Sequence, residues 1–146
     1  MKNVLWIEDN EELIARYKGI FDGNGVKLFV ARTLRSADNK VNKVLGIENI
    51  DLIISDLNMP ECSFDDNYKQ FADELFSKYG MDLFGLVWLK RFIDENPDYP
   101  QEKIAVLSGF LDEGMDDEIK AFAPRVTVID KLSLSLMDEI NDFITK

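Results

Sequence analysis

No histidine occurs in the 146 residues. That removes the commonest general base and nitrogen ligand at neutral pH. Histidine-containing nucleophile triads, the usual zinc sites and any phosphohistidine on this chain are excluded with it. Cysteine is nearly absent as well: Cys62 is the single one, so no internal disulfide can form, and a reduced, cytoplasmic setting is expected. Basic residues are outnumbered. Lys and Arg total 17 against 28 Asp and Glu, a formal charge of −11. This argues against sequence-independent binding to nucleic acid or to an anionic membrane, and it favours cations as ligands. No apolar run approaches the length of a membrane span. The N-terminal run Met1 to Asp9 turns acidic too early for a secretory signal. There is no internal repeat, low-complexity tract or linker, and the length suits one domain, 1–146, with no output domain attached.

What is present is organised around residues 50–60, Ile-Asp-Leu-Ile-Ile-Ser-Asp-Leu-Asn-Met-Pro. The apolar run at Leu52, Ile53 and Ile54 predicts a strand buried on both faces. Asn58, Met59 and Pro60 break it, since proline cannot donate to a sheet ladder. Asp56 is thereby held at the carboxyl end of an interior strand, the edge where open α/β sheets bind ligands.

A second apolar run, Asn3 to Ile7, ends in Glu8-Asp9-Asn10. Leu13, Ile14, Tyr17, Ile20 and Phe21 then recur at helical spacing, stopped by Gly23 and Gly25. Val26–Ala31 is strand-like, and Thr33 is placed to cap a helix to about Leu45. After the strand ending in Asp56, residues 61–67 look like loop. Tyr68, Phe71, Leu75, Phe76 and Tyr79 give a further helical stripe, expected to pack in the core. Another helix is predicted from near Asp82 to Asn96. Ile104–Ser108 reads as a strand, about 112–122 as an acidic helix, Val126–Ile129 as the last strand, and Leu136–Ile144 as a final amphipathic helix. The order is strand–helix repeated five times, with one extra helix in an insertion at approximately 61–81. This predicts an α/β fold, a doubly wound parallel sheet with helices on both faces.

Chemistry-bearing residues then fall at the ends of separate strands: Glu8 and Asp9, Asp56, Ser108 and Lys131. Taken singly each has an ordinary structural role, as a first-turn acid, a helix cap or a solvated charge. Jointly they meet on one sheet edge. Carboxylates converging there repel one another, and a hard divalent cation such as Mg2+, which takes oxygen ligands, relieves this. A phosphoryl group fits between metal, lysine and hydroxyl, with Asp56 as nucleophile.

This set resembles the receiver domains of two-component response regulators, including single-domain CheY-like proteins. The resemblance rests on Glu8-Asp9, on Asp56-Leu57-Asn58-Met59-Pro60, on Gly85-Leu86, on Ser108-Gly109 and on Lys131. It implies the flavodoxin-like sheet order 2-1-3-4-5, and Asp56 as the phosphoacceptor. It also implies Mg2+ held by Asp9, Asp56 and the backbone carbonyl of Asn58, with Glu8 acting largely through water. Ser108 and Lys131 would contact the phosphoryl group. The donor would be a histidine kinase or phosphotransfer protein. The downstream protein target would bind the face made by the helix after the fourth strand, the fifth strand and the last helix. The protein would be a monomer or weak homodimer, without direct contact to nucleic acid or membrane. It would be no conventional enzyme, but would catalyse its own phosphorylation and dephosphorylation.

Three features depart from the family pattern. Leu132 stands where a cis-proline usually follows the lysine, so that either the peptide is cis without proline or the loop differs. Val128 replaces the usual aromatic switch residue. About twenty residues separate Pro60 from the glycine that normally follows closely. Val128 and Leu132 keep open an alternative, a phosphorylation-independent interaction module of the same fold. A metal-dependent phosphohydrolase would need a second acid where Asn58 stands.

Overall fold

The computed structural model describes residues 1–60, 64–109 and 113–146. Expectations resting on Cys62, Ser63, Phe110 and Asp112 lie outside these residues. The strands are Asn3–Ile7 (β1), Lys27–Ala31 (β2), Leu52–Asp56 (β3), Ile104–Ser108 (β4) and Thr127–Asp130 (β5). They form one parallel sheet in the order β2-β1-β3-β4-β5. The helices are Glu11–Gly23 (α1), Leu34–Asn39 (α2), Asp66–Tyr79 (α3), Phe84–Glu95 (α4), Glu113–Phe122 (α5) and Leu136–Ile144 (α6).

Successive side chains of a strand point to opposite faces, and each face here has its own core. Leu5, Ile7, Ile53 and Val106 point toward α2, α4 and α5. Val4, Trp6, Ile54 and Leu107 point toward α1 and α6, with Trp6 stacked on Phe21 at 5.4 Å. Every residue of β3 and of β4 is buried, which explains the apolar runs Leu52–Ile54 and Ile104–Leu107 within them. Each fully buried Leu or Ile contributes roughly 1.5–3 kcal/mol.

Some boundaries differ from the sequence expectation. The helix after Thr33 is α-helical only to Asn39. Lys40–Val44 then widen into a π turn, closed by Leu45 N–H donating to Lys40 O at 2.9 Å and ended by Gly46 at φ 80°. The helix expected near Asp82 begins at Phe84, because Leu83, at φ −117° and ψ 54°, lies outside the helical backbone region as its side chain enters the core. The aromatic stripe of the insertion packs only in part. Leu75 is buried and Tyr68, Phe71 and Tyr79 are half-buried against the core, but Phe76 is 52% exposed. Phe76 sits a further 100° around the helix from Leu75, off the packed stripe.

One close approach fixes the site. α4 starts directly beneath the end of β3, and Gly85 N–H donates to Leu57 O at 2.9 Å. A Cβ on Gly85 would lie 1.9 Å from Asp56 O and 2.8 Å from Leu57 O. These neighbours are backbone atoms of a buried strand end, so they cannot swing aside. Gly85→Ala is therefore expected to destabilise the fold by about 2–3 kcal/mol or more, since overpacked cores shift backbone to relieve the clash. Urea unfolding checks this, and a variant as stable as the parent would show that the approach is looser than described.

Candidate functional site

The carboxyl ends of β1, β3, β4 and β5 meet in an open cleft of about 560 Å3. Glu8 follows β1 and is fully buried, and Asp9 beside it is exposed. Asp56 and Ser108 close β3 and β4 and are 3% and 2% exposed. Lys131 follows β5. The cleft is completed by Asn58 and Gly109, and by Met81 and Leu83 on the connection from α3 to α4. All six residues assigned to the site from sequence thus line one cleft.

Local chain geometry aims each group. Asn10 caps α1, its Oδ1 accepting from Leu13 N–H at 3.1 Å, and Asn10 N–H donates to Glu8 Oε2 at 3.2 Å. One turn therefore both starts the helix and orients Glu8. Asn58 N–H donates to Asp56 Oδ1 at 3.1 Å, an Asx-type turn that fixes the carboxylate as the chain leaves the sheet. Lys131 N–H donates to Ser108 O at 2.9 Å and extends the β4–β5 ladder by one step.

The lysine ammonium lies between the two buried acids. Lys131 Nζ is 2.9 Å from Glu8 Oε1 and 2.9 Å from Asp56 Oδ2. It donates a hydrogen bond to the latter. Burial alone would lower the Lys131 pKa, but the Asp56 and Glu8 carboxylates outweigh it and hold the ammonium above its ordinary range. Glu8 is pushed up from 4.5 to about 7, first by burial and then by the Asp56 charge, against the opposing pull of Lys131 and Asn10 N–H.

Glu8, Asp9 and Asp56 each present a carboxylate oxygen within 4.8 Å of the others. Fully ionised they carry three negative charges against the one on Lys131. An excess of two, on hard oxygen donors facing an open cleft, fits a divalent cation of the magnesium class.

The peptide after Lys131 is trans, as is every described one. Of the two expectations for this position the loop is the one that differs. Leu132 N–H donates to Asp130 Oδ1 at 2.9 Å, a bond that proline could not make, and the Leu132 side chain is 76% exposed. Val128 is half-buried in β5 against the α4–α5 core. Asn10, which orients Glu8, was not among the residues expected at the site, although an asparagine three residues before an amphipathic stripe is a capping signal. Met81 and Leu83 also join the cleft without any signal in the sequence.

The raised Glu8 pKa has a consequence for metal-free stability. A group whose pKa rises on folding stabilises the fold below its unfolded pKa and loses that contribution as pH rises through the folded value. In chelator, Glu8→Gln is thus expected to gain stability relative to the parent as pH climbs from about 5 to about 7.5. Parallel urea curves for the two proteins across that range would contradict it.

No protein-family model and no curated protein sequence matches the chain. Solved structures do. The receiver domain of the Francisella response regulator 1452 aligns at 20% identity and TM-score 0.69, covering 99% of this chain and 94% of that one. The chemotaxis protein CheY4 of Vibrio cholerae aligns at 18% identity and TM-score 0.68, covering 99% and 97%. A response regulator of Thermotoga maritima aligns at 19% identity and TM-score 0.62, covering 100% and 99%. With its 2-1-3-4-5 parallel sheet covered by helices on both faces, the chain has the flavodoxin-like fold of response regulator receiver domains.

Proposed function

We propose that the chain is a phosphoacceptor receiver in two-component signalling, accepting a phosphoryl group on Asp56 from a histidine kinase or phosphotransfer protein. The observation that carries this reading is the Lys131 ammonium held 2.9 Å from both Glu8 and Asp56, beside a third carboxylate, at the carboxyl edge of a receiver-type sheet. A structural ion pair needs two partners and no cleft. This one has an excess of two negative charges and an open face.

Asp9, Asp56 and the Asn58 carbonyl are the direct ligands of the ion in this reading, with Glu8 acting through water. Mg2+, when bound, neutralises charge on the incoming phosphoryl oxygens. The chain's own groups do the rest. Asp56, fixed by Asn58 N–H, presents a carboxylate oxygen to phosphorus. A bond forms from that oxygen as the P–N bond of the donor's phosphoimidazole breaks, its electron pair leaving with the imidazole. Lys131 passes from the carboxylate to a phosphoryl oxygen, and the Ser108 hydroxyl donates to another. Dephosphorylation returns the phosphoryl group to water.

The target would dock on α5, β5 and α6. Leu132, Leu134 and Met137, at 76%, 108% and 54% exposure in the loop after β5 and the first turn of α6, support a protein partner on that side. The phosphorylation-independent module remains the second reading, favoured by the half-buried Val128. A valine is short and stiff at χ1 and cannot make the swing of an aromatic side chain. Any response to phosphorylation then runs through the backbone of the Ser108–Gly109 loop.

Acetyl phosphate with Mg2+ is expected to add one phosphoryl group by intact mass, and Asp56→Asn to abolish the addition. An adduct that persists in the variant would mean another nucleophile. Isothermal titration with Mg2+ is expected to show at least a tenfold loss of affinity in Asp9→Asn, from removal of one of the charged ligands. Equal affinities would overturn the ion site.

A further inference from the structure

The inserted helix α3 lies across the outside of the molecule. Of its described residues only Leu75 is buried. It nevertheless ties two neighbouring helices together. On α4, Asp94 Oδ2 accepts from Tyr68 O–H at 2.8 Å. On α5, Glu118 Oε2 accepts from Lys78 Nζ at 2.9 Å and from Tyr79 O–H at 3.4 Å. Phe71 meets Phe122 at the end of α5 edge-to-face at 6.1 Å. Lys90 of α4 lies over both rings, 5.8 Å from the Phe71 centroid and 5.4 Å from that of Phe122. α5 is thus held to α3 at its middle through Glu118 and at its end through Phe122.

These contacts have a direction. α5 is the helix that follows Ser108 and Gly109 at the cleft. α3 runs through Gly80, Met81 and Leu83 into Gly85, which abuts the Asp56 carbonyl. Both ends of the clasp therefore lead back to the cleft that holds Asp56. Glu118 has a 20% exposed side chain and Lys78 a 63% exposed one. An exposed pair of this kind adds little to global stability. It is nevertheless made only while α5 stays in place, so any displacement of α5 must break it.

We propose that α3 is a brake built into the chain, a clasp on Glu118 and Phe122 that holds α5 in its resting position and opposes its displacement when the cleft is loaded. Displacement of α5 on loading rests on the receiver reading, but the restraint itself does not. A ligand that favours the displaced state must supply the free energy of breaking the clasp. By linkage, loosening the clasp raises the population of that state and tightens the ligand by the same factor.

Hydrogen exchange of the full chain tests this with Lys78→Ala combined with Tyr79→Phe, which removes both donors and keeps the ring. Glu118→Ala serves as an independent second variant. Amides of residues 114–122 are expected to exchange roughly fivefold faster in both variants, with β4 and α4 unchanged. The same result is expected in the Asp56→Asn background, which separates the clasp from phosphoryl chemistry. In the Asp56 protein, both variants should also bind beryllofluoride in Mg2+ roughly fivefold more tightly. Unchanged exchange in α5 would overturn the brake. Faster exchange spread through α4 and β4 would overturn it too, since α3 would then be ordinary packing. Faster exchange confined to α5 with unaltered beryllofluoride affinity would sever the clasp from the site. No beryllofluoride binding in the parent would instead count against the receiver reading, with the exchange result still deciding the restraint.

Discussion

Two buried carboxylates share one half-buried lysine ammonium at the carboxyl edge of the sheet, and the site is built around that contact. Glu8 is fully buried, Asp56 is 3% exposed, and Lys131 stands 2.9 Å from each. Removing charge from water costs several kcal/mol per ion unless the geometry compensates it. Here the compensation is incomplete by design of the donor set: Asp9 adds a third carboxylate, and the surplus charge faces an open cleft. The fold tolerates this because the surrounding positions are over-determined. Asn10 N–H, Asn58 N–H and the Lys131–Ser108 backbone bond fix the three groups, while two apolar cores hold the strands that carry them.

Gly85 shows how far that determination extends. The start of α4 touches the carbonyl of the same aspartate whose side chain meets Lys131. Packing on one face of the sheet and chemistry at its edge are therefore parts of one arrangement. α3 and α5 attach to it from outside, the first through the connection ending in Gly85, the second through Ser108.

Much of this was legible in the sequence. The runs Val4–Ile7, Leu52–Ile54 and Ile104–Leu107 are short, unbroken and apolar, which fits strands covered on both faces, and each is followed by a polar residue. Glu8, Asp9, Asp56, Ser108 and Lys131 could thus be assigned to one edge before any coordinates. What was not legible depends on non-local approach. Nothing in the order of residues tells that Met81 and Leu83 reach the cleft, that Phe76 falls off the packed stripe, or that Lys78 and Tyr79 find Glu118 some forty residues away. The π turn at Lys40–Val44 was also hidden, because a one-residue widening leaves the apolar spacing almost unchanged.

In the proposed function this edge binds a divalent cation and a phosphoryl group together, with Lys131 on the anion. Fluorine NMR of the protein with beryllofluoride, a phosphoryl stand-in, is its most direct measure. Bound fluorine resonances are predicted to appear only when Mg2+ is present, and to weaken sharply in Lys131→Ala, which loses the cation facing the fluorines. The absence of any bound resonance in the parent protein with both ions present would contradict the account.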